Sequence, residues 1–455
     1  MFVAQIHGRL TRSEEDLEDL LTSNGFGIWR YLPDQLGLLR FLQTARRLDG
    51  EPFVVPGKVE VIDLQFWPWI QERGAKGVEP DVLIEMVLSD QQEYLVLIEV
   101  KHLSGKSSLP DKHSLPNDQL AREMHNLRKM AGRKGIERYA LLYVTADTLM
   151  PRSDVGESIA ELGAKTNDGG DDRFYWTSWR SFPKILSEVK GACEKYSSAM
   201  LSDLETILRR MGLTFFEGIS SEGWTWGEIA WVFERTQASI AFEWGSISIV
   251  NYAFEEGGGK MSIANGPQIL AGLVETRKFL QQVALLIEAA DGFLRNAGWS
   301  RLHGNRATYI ADVKTKPRNW MPEYIFSFFS ADKGNKDNKN LGLFVGVLLD
   351  REGVWAGFKE PWVTCGLFKF SAEIGTKKFE QKHGWVTVHL KRERDPDGKF
   401  YDRKLSPEEQ ERLDGLVYEA SMALPLMSIK GMEDLKQKVI DPLLKQIEKV
   451  SGRHE

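Results

Sequence analysis

Residues 79 to 101, EPDVLIEMVLSDQQEYLVLIEVK, hold two apolar runs, 82–88 and 94–100, parted by the polar stretch SDQQE. Runs this short, rich in Val, Ile and Leu and separated by turn-forming residues, predict two strands folded back on one another. A reversal around Asp90 pairs residue i with roughly residue 180 − i, which sets Asp81 opposite Glu99; a two-residue slip sets it opposite Lys101. Side chains alternate along a strand, so Glu99 and Lys101 leave on the same face, about 6.6 Å apart at ~3.3 Å per residue. Val82, Ile84, Met86 and Leu88 fall on the other face with Val96, Ile98 and Val100, an apolar surface that a helix can bury.

Two carboxylates and an ammonium therefore converge at one end of a rigid ribbon. Hard divalent cations such as Mg²⁺ bind through one or two carboxylates, water and substrate phosphate. An ammonium beside them can orient a water or neutralise charge building on a phosphate. Asp81 and Glu99 fit the first role and Lys101 the second. Glu-x-Lys alone also arises as a cross-strand ion pair on exposed strands. Here the charges terminate strands that are otherwise apolar, and Pro80-Asp81 precedes at hairpin distance.

The flanking sequence predicts an α/β unit around this ribbon. Ser13 and Asp16 resemble a helix N-cap, with a helix over about 13–22. Residues 58–69 predict a strand. After Pro116, Leu120, Met124, Leu127 and Met130 recur at helical spacing, and 139–145 (YALLYVT) returns to strand, so a helix crosses between two strands. A strand at 174–176 and a helix over about 181–196 complete a unit of 1–200. Residues 201–262 form an aromatic-rich connection ending in EEGGGK at 255–260. Residues 263–455 are expected to be a separate α+β domain, with a long helix at 266–297, strands within 323–392 and helix over 406–450.

The pattern Pro80-Asp81, a variable gap and Glu99-Val100-Lys101 resembles the PD-(D/E)xK nuclease superfamily, over roughly residues 13–200. The resemblance implies a restriction-endonuclease-like mixed-sheet core flanked by helices. It also implies a Mg²⁺-dependent endonuclease, Mn²⁺ substituting, with Asp81 and Glu99 as metal ligands and Lys101 as the catalytic lysine. An acid on the first helix often joins such a metal site; Glu18 is the candidate here, with Glu14, Glu15, Asp19 and Glu60 as competitors. A polar residue on the helix after the lysine strand is also common, and Gln119 sits suitably. The Gln-x-x-x-Tyr form of that helix is absent, because position 123 is Glu.

DNA as the substrate follows from the resemblance. By analogy of architecture the setting is prokaryotic restriction or antiphage defence, with a protein partner or phage-derived trigger acting through the C-terminal domain. Two alternatives stand beside it: a non-catalytic nucleic-acid- or protein-binding module with a nuclease-like fold, and a DNA repair or recombination nuclease. Enzymes that cut both strands often act as symmetric pairs, and the sequence fixes no such interface.

The net charge of −6 excludes a uniformly basic coat, so a polyanion must be met locally. Residues 101–138 carry nine Lys or Arg against four Asp or Glu, a local +5; a phosphate-binding patch and a solvated helix face both account for it. A second basic run, 377–404, surrounds a turn at Asp395-Pro396-Asp397-Gly398 and reads as an exposed hairpin. Gly105-Lys106-Ser107 imitates the end of a phosphate-binding loop, but Val100 stands where that loop needs Gly. His102, His113 and His125 lie nearby without a metal-ligand spacing, and Trp224, Trp226, Trp231 and Trp244 suit a core as well as base stacking. With only Cys193 and Cys365, no exported leader and no long apolar segment, a cytoplasmic chain free of the membrane is expected.

Overall fold

A computed structural model of the chain describes residues 18–32, 36–102, 104–111, 115–166, 173–218, 266–302, 308–310, 324–332, 338–349, 360–372, 397–413 and 415–451. The connection at 219–262, with its four tryptophans and EEGGGK, lies outside the described residues. So do His113, the expected helix start at 13–17 and most of the basic run at 377–404.

The N-terminal unit is a mixed five-stranded sheet between two helical layers. Its strands are β1 (Val59–Phe66), β2 (Val82–Leu88), β3 (Glu93–Lys101), β4 (Arg138–Thr145) and β5 (Phe174–Ser178), side by side in chain order. β1, β2 and β3 are antiparallel neighbours, while β4 and β5 continue parallel to β3. Parallel pairing requires a crossover, and α3 (Gln119–Lys134) supplies the one between β3 and β4. Asp118 caps α3 by accepting from the Ala121 N–H at 3.1 Å. Gly135, at φ +74°, closes its other end with Ile136 N–H bonded back to the Ala131 carbonyl.

α1 (Glu18–Gly27), α2 (Leu36–Gln43), α5 (Phe182–Lys190) and α6 (Lys195–Arg210) lie on one face of the sheet, on the apolar residues of alternate strand positions. Val82, Ile84, Met86, Val96, Ile98 and Val100 belong to that core, as alternation required. α1 runs on to Gly27, past the expected end near 22, where Gly25 lets it press on Trp179: a Cβ there would stand 2.7 Å from the indole. The opposite face is covered by α3 and α4 (Arg152–Thr166). Sequence periodicity gave no sign of α4, whose Gly156 and Gly163 have low helix propensity. Position 200 falls inside α6, whose Leu201, Leu204 and Leu208 belong to the first core, so this unit runs to about Leu213.

α7 (Gly266–Asn296) opens the second unit, an antiparallel sheet of β6 (Trp299–Arg301), β7 (Thr308–Ile310), β8 (Tyr324–Ala331), β9 (Leu341–Leu348), β10 (Trp362–Phe370), β11 (Tyr401–Lys404) and β12 (Leu416–Pro425). The expectation of helix throughout 406–450 is corrected here. Only α8 (Pro407–Arg412) precedes β12, which pairs with both β10 and β11 and buries Ala420 and Met422 beneath α7. The helical ending is α9 (Met432–Leu435), a π-helical turn (Lys436–Ile440) and α10 (Asp441–Ser451). α7 also touches the first unit: Arg180 pairs with Glu288 at 2.7 Å, Arg295 with Asp147 at 3.1 Å, and Gly292 admits Thr148 where a Cβ would stand 2.6 Å from its Oγ1. No helix among the described residues is long and apolar enough to cross a membrane.

Candidate active site

The β2–β3 ribbon has the register that its alternation requires. Val82 pairs with Ile98 and Leu83 with Leu97, so each pair sums to 180 and Asp81 falls level with Glu99. The slipped alternative that faced Asp81 with Lys101 is not formed. Asp81 Oδ2 accepts the Val100 N–H at 2.8 Å, tying the carboxyl to the neighbouring strand.

Glu99 lies on the face covered by α3 and is only 2% exposed. Lys101 Nζ stands 2.7 Å from Glu99 Oε1 and 3.0 Å from Glu18 Oε1. Gln119 Nε2 donates to the same Glu99 oxygen, and Gln119 Oε1 accepts the Ser107 N–H at 2.7 Å, which fixes which end of the amide faces the acid. The Gly105-Lys106-Ser107 segment thus serves to orient Gln119. Lys106 holds the start of α3, with Nζ 2.6 Å from Asp118 Oδ2 and 3.0 Å from the Asp154 carbonyl.

One turn along α3 stands Glu123, where the Gln-x-x-x-Tyr form of this helix would carry its tyrosine. Glu123 is 2% exposed, on the same helix face as Gln119, and its carboxyl is hydrogen-bonded to Glu99. Its Oε2 has no hydrogen-bond partner among the described residues. The available signal was the spacing: an acid four residues after Gln119, between the core residues Leu120, Met124 and Leu127, has to point into the sheet.

These acids hold protons unusually tightly. Burial, then the neighbouring charge of Glu99, pushes Asp81 up to about 7, against the pull of the Val100 N–H and Lys101. Burial raises Glu99 despite Lys101, and burial followed by the charge of Glu99 raises Glu123 well above the ordinary carboxyl range. Burial alone would lower Lys101; Glu99 and Glu18 more than reverse it, so the ammonium stays charged.

Glu18 accepts from Lys101 Nζ, from the His102 N–H at 2.9 Å and from Ser104 Oγ at 2.7 Å. Among the described residues no group of three or more His, Cys, Asp or Glu side chains is gathered to hold a metal ion. The expected set Asp81, Glu99 and Glu18 is therefore not assembled as three ligands. Lys101 stands between Glu99 and Glu18, because a buried carboxylate takes the nearest positive charge. Among the competitors, Asp19 and Glu60 show no contact with this cluster, and Glu14 and Glu15 lie outside the described residues.

Four of the nine basic residues in the local +5 are paired with acids. The Lys101 and Lys106 side chains are 10% and 2% exposed and paired, while Arg133 and Lys134 pair with Glu72 and Glu85. Compared with protein-family models, with curated proteins and with solved structures, the chain matches none.

Proposed function

We propose that the chain is a Mg²⁺-dependent nuclease that hydrolyses phosphodiester bonds in DNA, on a restriction-endonuclease-like core. The observation that carries this reading is the charge imbalance at the end of β3. Glu99 and Glu18 share a single ammonium, Lys101, with Asp81 and Glu123 beside Glu99; burial pushes Asp81, Glu99 and Glu123 toward protonation, and the charge of Glu99 adds to this at Asp81 and Glu123. A cluster built only to stabilise the fold would leave no buried carboxylate oxygen without a partner, as Glu123 Oε2 is left here.

Asp81 and Glu99 offer two of the oxygen donors that a hard divalent cation takes, the remainder falling to water and phosphate. The donors are all carboxylate oxygens, and Glu123 Oε2 is buried without a partner. Asp81 and Glu99 would hold the ion, with Glu123 adjoining. What the ion supplies is Lewis-acid stabilisation of charge building on the phosphate. Gln119 fixes the Glu99 carboxylate from the helix side. Lys101, beside Glu99, would offer its ammonium to the scissile phosphate or to the attacking water. Glu18 holds the lysine's other side.

The competing reading is a non-catalytic binding module whose acids are neutralised internally. The position of Lys101 between Glu99 and Glu18 favours it. Plasmid cleavage separates the two. Purified protein with Mg²⁺ is expected to nick or linearise plasmid DNA, and Asp81→Ala, Glu99→Ala and Lys101→Ala are each expected to abolish cleavage. Cleavage undiminished in all three variants overturns the nuclease reading.

A further inference from the structure

β1 ends beside the proposed site. Phe66 pairs with Val82, and the next residue, Trp67, donates its N–H to the Asp81 carbonyl at 3.0 Å. Trp67, Asp81 and Glu99 are therefore level with one another on three adjacent strands, each about 4.8 Å from the next. Trp67 has φ +50°, in the left-handed region that a bulky side chain rarely adopts. Such strain persists only where the surroundings impose it, and it clusters at functional sites.

The strained backbone presents an indole to solvent. Trp67 is 39% exposed, and Tyr31 across from it is 71% exposed. Together with Phe66, Arg30 and Met200 they line a hollow of about 400 Å³. Arg30 is braced there, with Nη2 donating to the Leu64 carbonyl at 2.7 Å and its guanidinium 5.2 Å from the centre of the Phe66 ring. Two residues on, Trp69 is 65% exposed and lies flat over Gly77, where a Cβ would stand 2.5 Å from the indole. Large aromatics are buried where the aim is stability; here two tryptophans and a tyrosine are held outward on an ordered framework.

We propose that the hollow between Tyr31 and Trp67 is a nucleobase site, which takes one unpaired base of the strand whose phosphate is presented to Asp81, Glu99 and Lys101. It rests on the nuclease reading and deepens it: the substrate engaged is locally single-stranded, or opened to that state at the site. Aromatic faces stack on any base without reading sequence, and a planar guanidinium adds to such a platform. The left-handed turn at Trp67 aims the indole at the hollow, and the hydrogen bond to Asp81 couples that turn to the position of the acid.

The test measures binding without cleavage. Full-length protein, with divalent ions chelated, is titrated into a fluorescein-labelled single-stranded oligodeoxynucleotide of about 20 nucleotides and into the corresponding duplex. Trp67→Ala and Tyr31→Ala are expected to weaken single-strand binding by about 5- to 150-fold, the range of one lost base stack. The salt dependence should not change, because no phosphate contact is removed. Trp67→Phe should retain most of the affinity, and duplex binding should change little. Trp67→Gly is the diagnostic variant, since glycine relieves the positive φ: its melting temperature should hold or rise while its single-strand affinity falls. A tryptophan that serves only the fold would give the opposite pair of results. Equal single-strand affinity in wild type and all Trp67 and Tyr31 variants overturns the base site and leaves the nuclease reading intact. Trp67-dependent binding without Mg²⁺-dependent cleavage strikes the nuclease reading alone.

Discussion

Two buried ionic clusters lie at the start of α3, within a turn of one another, and they are built on opposite principles. In the first, Lys106 pairs with Asp118, Lys165 pairs with Asp111 and Glu161, and Glu161 also accepts the N–H groups of Asp111, Asn117 and Asp118. Burial would raise Glu161, yet Lys165 and those N–H groups bring it below its ordinary range. In the second cluster, Lys101 pairs with Glu99 and Glu18 while Asp81 and Glu123 stand beside Glu99; Asp81, Glu99 and Glu123 are all raised, and one oxygen of Glu123 is left without a partner. Buried charge by itself therefore does not distinguish a site from a strut. The distinction lies in whether each charge has been satisfied, because a buried acid without compensation is costly to keep unless something else binds there.

The largest effect expected from this contrast is catalytic. Glu99→Gln should lower plasmid cleavage by about 10²- to 10³-fold, the contribution of a single electrostatic contact to a transition state. The same variant should leave the melting temperature unchanged or raised, because it removes one of the crowded acids. A large loss of stability instead would place Glu99 with the struts. Lys106→Ala should do the reverse, destabilising by about 3–5 kcal/mol through the stranded Asp118 carboxylate, measurable by denaturant unfolding.

Next in size is a difference in the sign of the pH dependence. Folded Asp81 titrates at about 7 against an ordinary value of 3.8, so between these limits the folded state holds more protons than the unfolded one. Its contribution to stability is then complete in acid and is lost as pH rises through about 7. Glu161 is lowered, so its contribution is complete above the ordinary carboxyl range and is lost as pH falls. Unfolding of the metal-free protein followed between about pH 5 and pH 8 should show a decline, to which Glu99 and Glu123 also contribute, that Asp81→Asn lessens and Glu161→Gln does not. The smallest effect is expected from Glu123→Gln, which keeps the shape of the side chain. It should raise metal-free stability by about 1 kcal/mol or less and weaken divalent-ion binding, both read from melting curves with and without Mn²⁺.

Much of the site was legible because strand alternation is a strict rule. The 180 − i register, the burial of Val82 through Val100 on one face and the meeting of Asp81 with Glu99 all follow from a period of two. Gln119 was legible only through the family resemblance, which expects a polar residue on the helix after the lysine strand. Glu123 was missed because it was weighed against a sequence pattern and not placed on the helix face it shares with Gln119. Lys106 read as a basic-patch residue because its partners, Asp118 and Ser158, are far apart in sequence and meet only when α4 packs on α3. β12 was hidden by helix formers such as Glu419, Ala420, Met422 and Leu424, and its strand form is set by the pairing of β10 on one side and β11 on the other. Trp67 carried no periodic signal at all: its exposure and positive φ exist only once β1 stops beside Asp81.

The central claim is that the unsatisfied cluster holds a divalent cation, and calorimetric titration of Mn²⁺ and Mg²⁺ into the full-length protein tests it most directly. Saturable binding is expected in the wild type, lost in Asp81→Asn and in Glu99→Gln, and kept in Glu161→Gln. No binding in the wild type, or binding indifferent to Asp81 and Glu99, would contradict the account.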